Sequence, residues 1–208
     1  MEEKKISEQE SLELITQMIN QTKKDLSVGN GDSFLMWGYL SAAISLAVIV
    51  MLLATNDPRC AWLYMTIPIA GFTASGIKTY KAKRKSHVAS TYASNTINNV
   101  WAIISAVFAV YAISCLLHFG EVRSWNGMFL LGMLLPGIGT YTTGVILKEK
   151  SIQMCGLLGV VIGTGLLRYF VCGEQVISIM QMGQMVLSFV ITLIIPGHIL
   201  NFKAKKQQ

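Results

Sequence analysis

The sequence predicts an all-α fold: a polytopic membrane bundle of six transmembrane helices, preceded by an amphipathic cytoplasmic helix. Three observations carry this reading. Hydrophobic residues make up 52% of the 208 and charged residues only 13%, about half the charged share of an ordinary soluble domain. The apolar residues are blocked into long continuous runs, and mean hydropathy is +0.51. The basic residues gather in alternate connections between those runs.

A helix crossing lipid needs about 20 mostly apolar residues. Six stretches qualify: Phe34–Ala54, Cys60–Ile77, Val100–Phe119, Met128–Leu147, Ile152–Cys172 and Ile179–Leu200. Each is expected to be helical, because lipid offers no partner for backbone N–H and C=O groups. Outer-membrane strands would need shorter, alternating segments. The first apolar run starts at Phe34, so the first span is expected to serve as the insertion signal. The domain plan is then a cytoplasmic helix and linker over 1–33, a transmembrane domain over 34–202, and a basic cytoplasmic tail over 203–208.

Charge sets the orientation. Lys4, Lys5, Lys23 and Lys24 precede the first span, and Lys78, Lys81, Lys83, Arg84 and Lys85 follow the second. Lys148 and Lys150 follow the fourth, and Lys203, Lys205 and Lys206 follow the sixth. Only Arg59, Arg123 and Arg168 fall on the other side. The positive-inside rule places the first set, and both termini, in the cytoplasm. The formal charge of +6 is therefore topogenic, and no nucleic-acid partner is expected.

The N-terminal segment reads as a separate unit. Ser7 and Glu10 have capping-box spacing. Leu12, Ile15, Met18, Ile19, Thr22 and Leu26 share one helical face, and Val28-Gly29-Asn30-Gly31 ends the helix. Asp32 or Ser33 is then placed to cap the first span. Residues 1–26 carry six acids and four lysines, so the helix is not a polybasic lipid binder. Its apolar face is expected against the bundle, the membrane interface, a protein partner or a second copy of the chain.

Internal repetition is suggested by Trp37-Gly-Tyr-Leu-Ser41-Ala42 and Trp101-Ala-Ile-Ile-Ser105-Ala106, which open the first and third spans. The second, fourth and sixth spans carry Pro68, Pro136 and Pro196, glycines Gly71, Gly137 and Gly197, and basic ends at Lys78, Lys148 and Lys203. That pattern fits three hairpins of one type.

Chemistry is sparse. The 11 acids all lie outside the spans, which weighs against carboxylate-coupled transport and membrane aspartyl proteolysis. No HExxH, GxSxG or P-loop occurs, so no catalytic residue and no cofactor-binding or metal-binding residue is assigned, and no enzyme is expected. Arg168 reads as an interfacial anchor near Glu174 and Glu121, with an anion-attracting vestibule as its functional alternative. His87, His118 and His198 are too scattered to converge. Cys60, Cys115 and Cys172 lie near the outer ends of spans and allow an outer-face disulfide. With Met180, Met182 and Met185 they also suit copper(I), although methionine is an ordinary gap filler. Gly159-Val-Val-Ile-Gly163, extended by Gly156 and Gly165, is a small-residue face for helix contact within the chain or between copies. Thr140, Thr142, Thr143 and Gly144 follow Pro136-Gly137-Ile138-Gly139, and mark the candidate for a small polar cavity.

The three-hairpin layout, the tryptophans opening odd helices and Ser75-Gly76-Ile77 before the basic end resemble small six-helix bacterial inner-membrane proteins, the acid-resistance membrane proteins among them. The resemblance covers the span pattern over residues 34–200. It implies a bacterial inner (plasma) membrane and a non-enzymatic role. The expected function is a membrane component acting through a partner or as a structural or stress-related element. The alternative is a small-molecule channel or transporter whose pore is lined by hydroxyls and glycines.

Overall fold

A computed structural model describes residues 30–85, 92–117, 126–171 and 178–206, together with Gln9, Leu12, Glu13 and Thr16. Side chains of 166–171 lie outside the description. All regular structure among the described residues is helical. Helix α1 runs Asn30–Thr55; a 3-10 segment, Pro58–Met65, leads into α2, Thr66–Lys85; α3 is Tyr92–Leu117, α4 Asn126–Ile146 and α5 Lys150–Val171. The last span is one continuous rod: α6, Ile179–Phe189, a π turn over Val190–Ile194, and α7, Ile195–Lys206.

Among the described residues, five helices are long and apolar enough to cross a membrane: Gly31–Thr55, Arg59–Lys78, Ala93–Leu117, Gly127–Ile146 and Ile179–Lys206. Much of their apolar surface faces outward, with Val50, Ile69, Ile103, Val110 and Leu117 more than half exposed. In water such a surface would drive aggregation; in lipid it is the contact surface.

Local chemistry sets the ends. α1 stops where Asn56 takes φ 51° and its N–H donates to the Leu52 carbonyl at 2.9 Å, the left-handed cap that Asn tolerates. Asp57 then caps the 3-10 segment through the Arg59 N–H. Ser178 and Gln181 form a reciprocal capping box at the start of α6. The first span begins earlier than the hydropathy run, at Asn30. Asp32 therefore lies inside the first turn rather than at a cap, and accepts from Asn201 Nδ2 at 2.8 Å. Ser33 is also inside that turn, where its Oγ accepts from Lys78 Nζ at 3.0 Å. The basic segment expected as a tail continues α7 as far as Lys206.

The core is organised by the last span. α6, the π turn and α7 pack against α1 on one side and against α4 and α5 on the other. Among the described helices, α4 and α5 form the most closely packed pair. They are joined by a turn in which Lys148 adopts φ 57°, while Glu149 N–H reaches the Gly144 carbonyl and Lys148 N–H the Val145 carbonyl. This is a Schellman turn with lysine where glycine is usual. α3 leans on α4, and α2 on α1 and its own 3-10 segment. The bonds Lys78–Ser33 and Asn201–Asp32 and the ion pair Lys203–Glu149 put the lysine-bearing ends of four spans at one end of the bundle.

Candidate functional site

Two features occupy the interior: a polar knot joining three spans, and an aromatic cavity beside it.

The knot starts from a proline. Pro196 has no N–H, so the carbonyl of Thr192, four residues earlier, loses its helical donor. The π turn accommodates the ring, with Ile195 N–H reaching back to Val190. Thr140 of α4 then supplies the missing donor, its hydroxyl reaching the Thr192 carbonyl at 2.7 Å. Thr192 Oγ1 donates to the Ser188 carbonyl at 2.7 Å. Both threonines are fully buried. Thr143 donates to the Gly139 carbonyl and accepts from Trp101 Nε1 at 3.2 Å, tying α3 to α4. The sequence marked this stretch as a polar cavity; the structure corrects that. Thr140 and Thr143 are consumed in bonds, and Thr142 turns back to its own helix at Ile138.

Glycine makes these approaches possible. A Cβ on Gly137 would sit 2.9 Å from Val160 N, and one on Gly144 2.6 Å from Gln153 N. On α5, Gly156 backs onto the Tyr141 backbone, Gly159 onto Thr192 Cγ2 and Gly163 onto Leu134. The Gly159/Gly163 face is thus an intrachain seam. Gly165 is not part of it, having nothing within 4 Å of its Cβ position.

The cavity has a volume of about 250 Å³ and is partly open. It is bounded by α1, the 3-10 segment, α2, α3, α4, α6 and the π turn. Its walls are largely aromatic. Phe34 meets Trp101 edge to face at 5.1 Å, Trp37 meets Phe72 at 5.6 Å, and Tyr64 meets Phe129 at 4.9 Å. Edge-to-face pairs of this kind fix ring orientation as well as filling space. Polar groups are few: Ser33 and Asn98 toward the lysine-bearing end, Ser41 and Ser105 along the wall, and Tyr64. The Tyr64 hydroxyl faces Ser45, but neither oxygen meets hydrogen-bond geometry with a described group. Sequence reading used Trp37 and Trp101 only as repeat markers. Their spacing to Phe34 and Phe108 on single helix faces was the available clue to a shared wall.

The remaining candidates disperse. His198 shares a 2.8 Å hydrogen bond with Tyr39 Oη across α1 and α7. Among the described cysteines, Cys60 and Cys115 form no disulfide, and Cys60 Sγ lies 3.4 Å from Thr55 Oγ1. Met182 and Met185 are buried while Met180 is 73% exposed, so the three do not share one face. Among the described residues no His, Cys, Asp and Glu side chains group as metal ligands. His87, His118, Glu121, Arg123, Cys172, Glu174, the Arg168 side chain, the Ser7–Glu10 capping pair, and the face residues Ile15, Met18, Ile19, Thr22 and Leu26 lie outside the described residues. No family model, curated protein or solved structure matches the chain.

Proposed function

We propose that the chain is a non-enzymatic, six-span integral membrane protein of a bacterial inner membrane, with both termini in the cytoplasm, that acts through a protein partner. Lys150–Val171, fifth in chain order, supplies the span beyond the five long apolar helices: its 22 residues are long enough to cross, and it is packed along α4. The orientation is supported by the shared end of the bundle that holds Lys78, Lys148 and Lys203.

One observation carries the functional reading. The buried hydroxyls of Thr140, Thr143 and Thr192 are bonded between and within helices, so they close the bundle instead of lining a hydrated path. That favours a structural or partner-dependent component over a hydroxyl-lined channel. The contact for a partner is the N-terminal helix, on which Leu12 is helical and 64% exposed. The three-hairpin resemblance to small inner-membrane proteins agrees with this role.

The test is a pair of variants purified in mild detergent. Leu12→Asp and Ile19→Asp should leave the melting temperature of the bundle unchanged and remove a protein that co-purifies with the wild type. Deleting residues 1–28 with no change in stability or in any co-purifying protein would overturn the reading.

A further inference from the structure

We infer that the aromatic cavity is a binding site for one acyl chain of an anionic amphiphile, with the negative head at Lys78. Three observations converge on this.

The first is size and lining. Cavities of about 150 Å³ walled by aliphatic and aromatic groups stay dry and take up benzene or xenon. This one is larger, at about 250 Å³, and is walled by Phe34, Trp37, Phe72, Trp101, Phe108 and Phe189. A partly open apolar slot of this size can accept an apolar chain.

The second is length. Along α3 the lining runs from Ile97 to Phe108, about 16 Å at about 1.5 Å per residue. The hydrocarbon core is about 30 Å thick. The cavity therefore spans about one leaflet, the reach of a single lipid chain.

The third is charge. Ser33 lines the cavity, and its Oγ accepts from Lys78 Nζ at 3.0 Å. A lysine ammonium thus stands at one end of an apolar slot, with Lys81 one turn further along α2. Asp32, beside Ser33, accepts from Asn201 Nδ2 on α7. Aromatic faces also attract quaternary ammonium groups, but a cationic head would meet Lys78. A carboxylate or phosphate head meets a donor that favours it. The inference rests on the six-span reading only in placing Lys78 at the cytoplasmic surface.

Gly132 gives access to a test. It lines the cavity, and a Cβ there would meet only Phe189 Cζ, at 3.9 Å. Gly132→Leu therefore fills the slot without striking backbone. Full-length protein in neutral-detergent micelles is exposed to three tail-diazirine probes: palmitic acid, phosphatidylglycerol and phosphatidylcholine. Labelled residues are mapped by mass spectrometry, and melting without probe checks the fold of each variant. The expected result is labelling on α3 between Ile97 and Phe108, lost in Gly132→Leu. Lys78→Gln should reduce labelling by the anionic probes about tenfold. Labelling by palmitic acid alone identifies a free fatty acid, and labelling by phosphatidylglycerol a bilayer lipid; both support the site. Labelling by phosphatidylcholine equal to that by phosphatidylglycerol overturns the anionic head. Labelling unchanged in both variants overturns the site. If Gly132→Leu fails to fold, Lys78→Gln decides alone: Lys78 is exposed, and melting without probe shows whether loss of its bond to Ser33 disturbs the fold. A reporter after Lys85 tests the orientation separately: an external reading there overturns the leaflet assigned, while Gly132-dependent labelling still supports the ligand.

Discussion

The hydroxyl of Thr140 donates to the backbone carbonyl of Thr192 at 2.7 Å, and Thr192 is the residue whose carbonyl Pro196 leaves without a helical donor. A side chain on α4 thus completes the backbone of the last rod, α6 to α7. In water an orphaned carbonyl would be solvated; at this depth it has only protein to turn to.

Thr140→Val should therefore destabilise the bundle by about 1–3 kcal/mol, since it keeps the shape and leaves a buried acceptor unpaired. Pro196→Ala restores an N–H at that position. The double variant should be more stable than the sum of the two single changes predicts, as measured by reversible unfolding in detergent. Strict additivity would show that the carbonyl had another donor.

The glycine face of α5, which meets the π turn at Gly159 and α4 at Gly163, predicts a graded response. Gly159→Leu drives a side chain into Thr192 and Gly163→Leu drives one into Leu134, and overpacking of this kind costs about 1–3 kcal/mol or more. Gly165→Leu meets open space and should leave the melting temperature unchanged. Equal tolerance at all three positions would place the seam on the lipid side.

Lys148 pays a conformational penalty at φ 57°. Lys148→Gly should raise stability by about 1 kcal/mol, the usual cost of a non-glycine residue in that region. A fall in melting temperature would mean that the lysine side chain contributes more than its backbone costs.

Reporter fusions test the topology. Those after Lys85, Glu149 and Lys206 should read cytoplasm, and those after Asp57, Arg123 and Glu174 the outside. One inverted loop breaks the six-span arrangement.

The helical fold was legible because lipid imposes a length on every span, and continuous runs such as Phe34–Ala54 declare it. The ends were less legible. Hydropathy begins at Phe34, yet α1 starts at Asn30, because a helix continues through polar residues wherever neighbours satisfy them, as Asn201 and Lys78 satisfy Asp32 and Ser33. Gly159 and Gly163 were legible as a contact face, since only a close approach explains paired glycines at that spacing. What they touch was not, because the partners, Thr192 for Gly159 and Leu134 for Gly163, are distant in sequence. The threonines after Pro136 read in sequence as marking a small polar cavity; instead Thr140 donates to the carbonyl of Thr192, which Pro196 frees in another helix, while Thr142 and Thr143 donate within their own helix. The cavity was legible only in fragments, because several elements form it jointly, and a spacing such as Phe34 to Trp37 or Trp101 to Phe108 does not by itself tell a lining aromatic from a lipid-facing one.

The last rod of the chain also sets a timetable. Tyr39 waits for His198, and Asp32 for Asn201, across 159 and 169 residues. Ribosomes add about 5–20 residues per second, so α1 spends many seconds in the bilayer with its packing face bare before its partner leaves the exit tunnel. During that interval the nascent chain must be shielded by the insertion machinery or by lipid. A stop codon anywhere before Ile179 would release a set of spans with no keystone, and such a product is a natural substrate for membrane proteases.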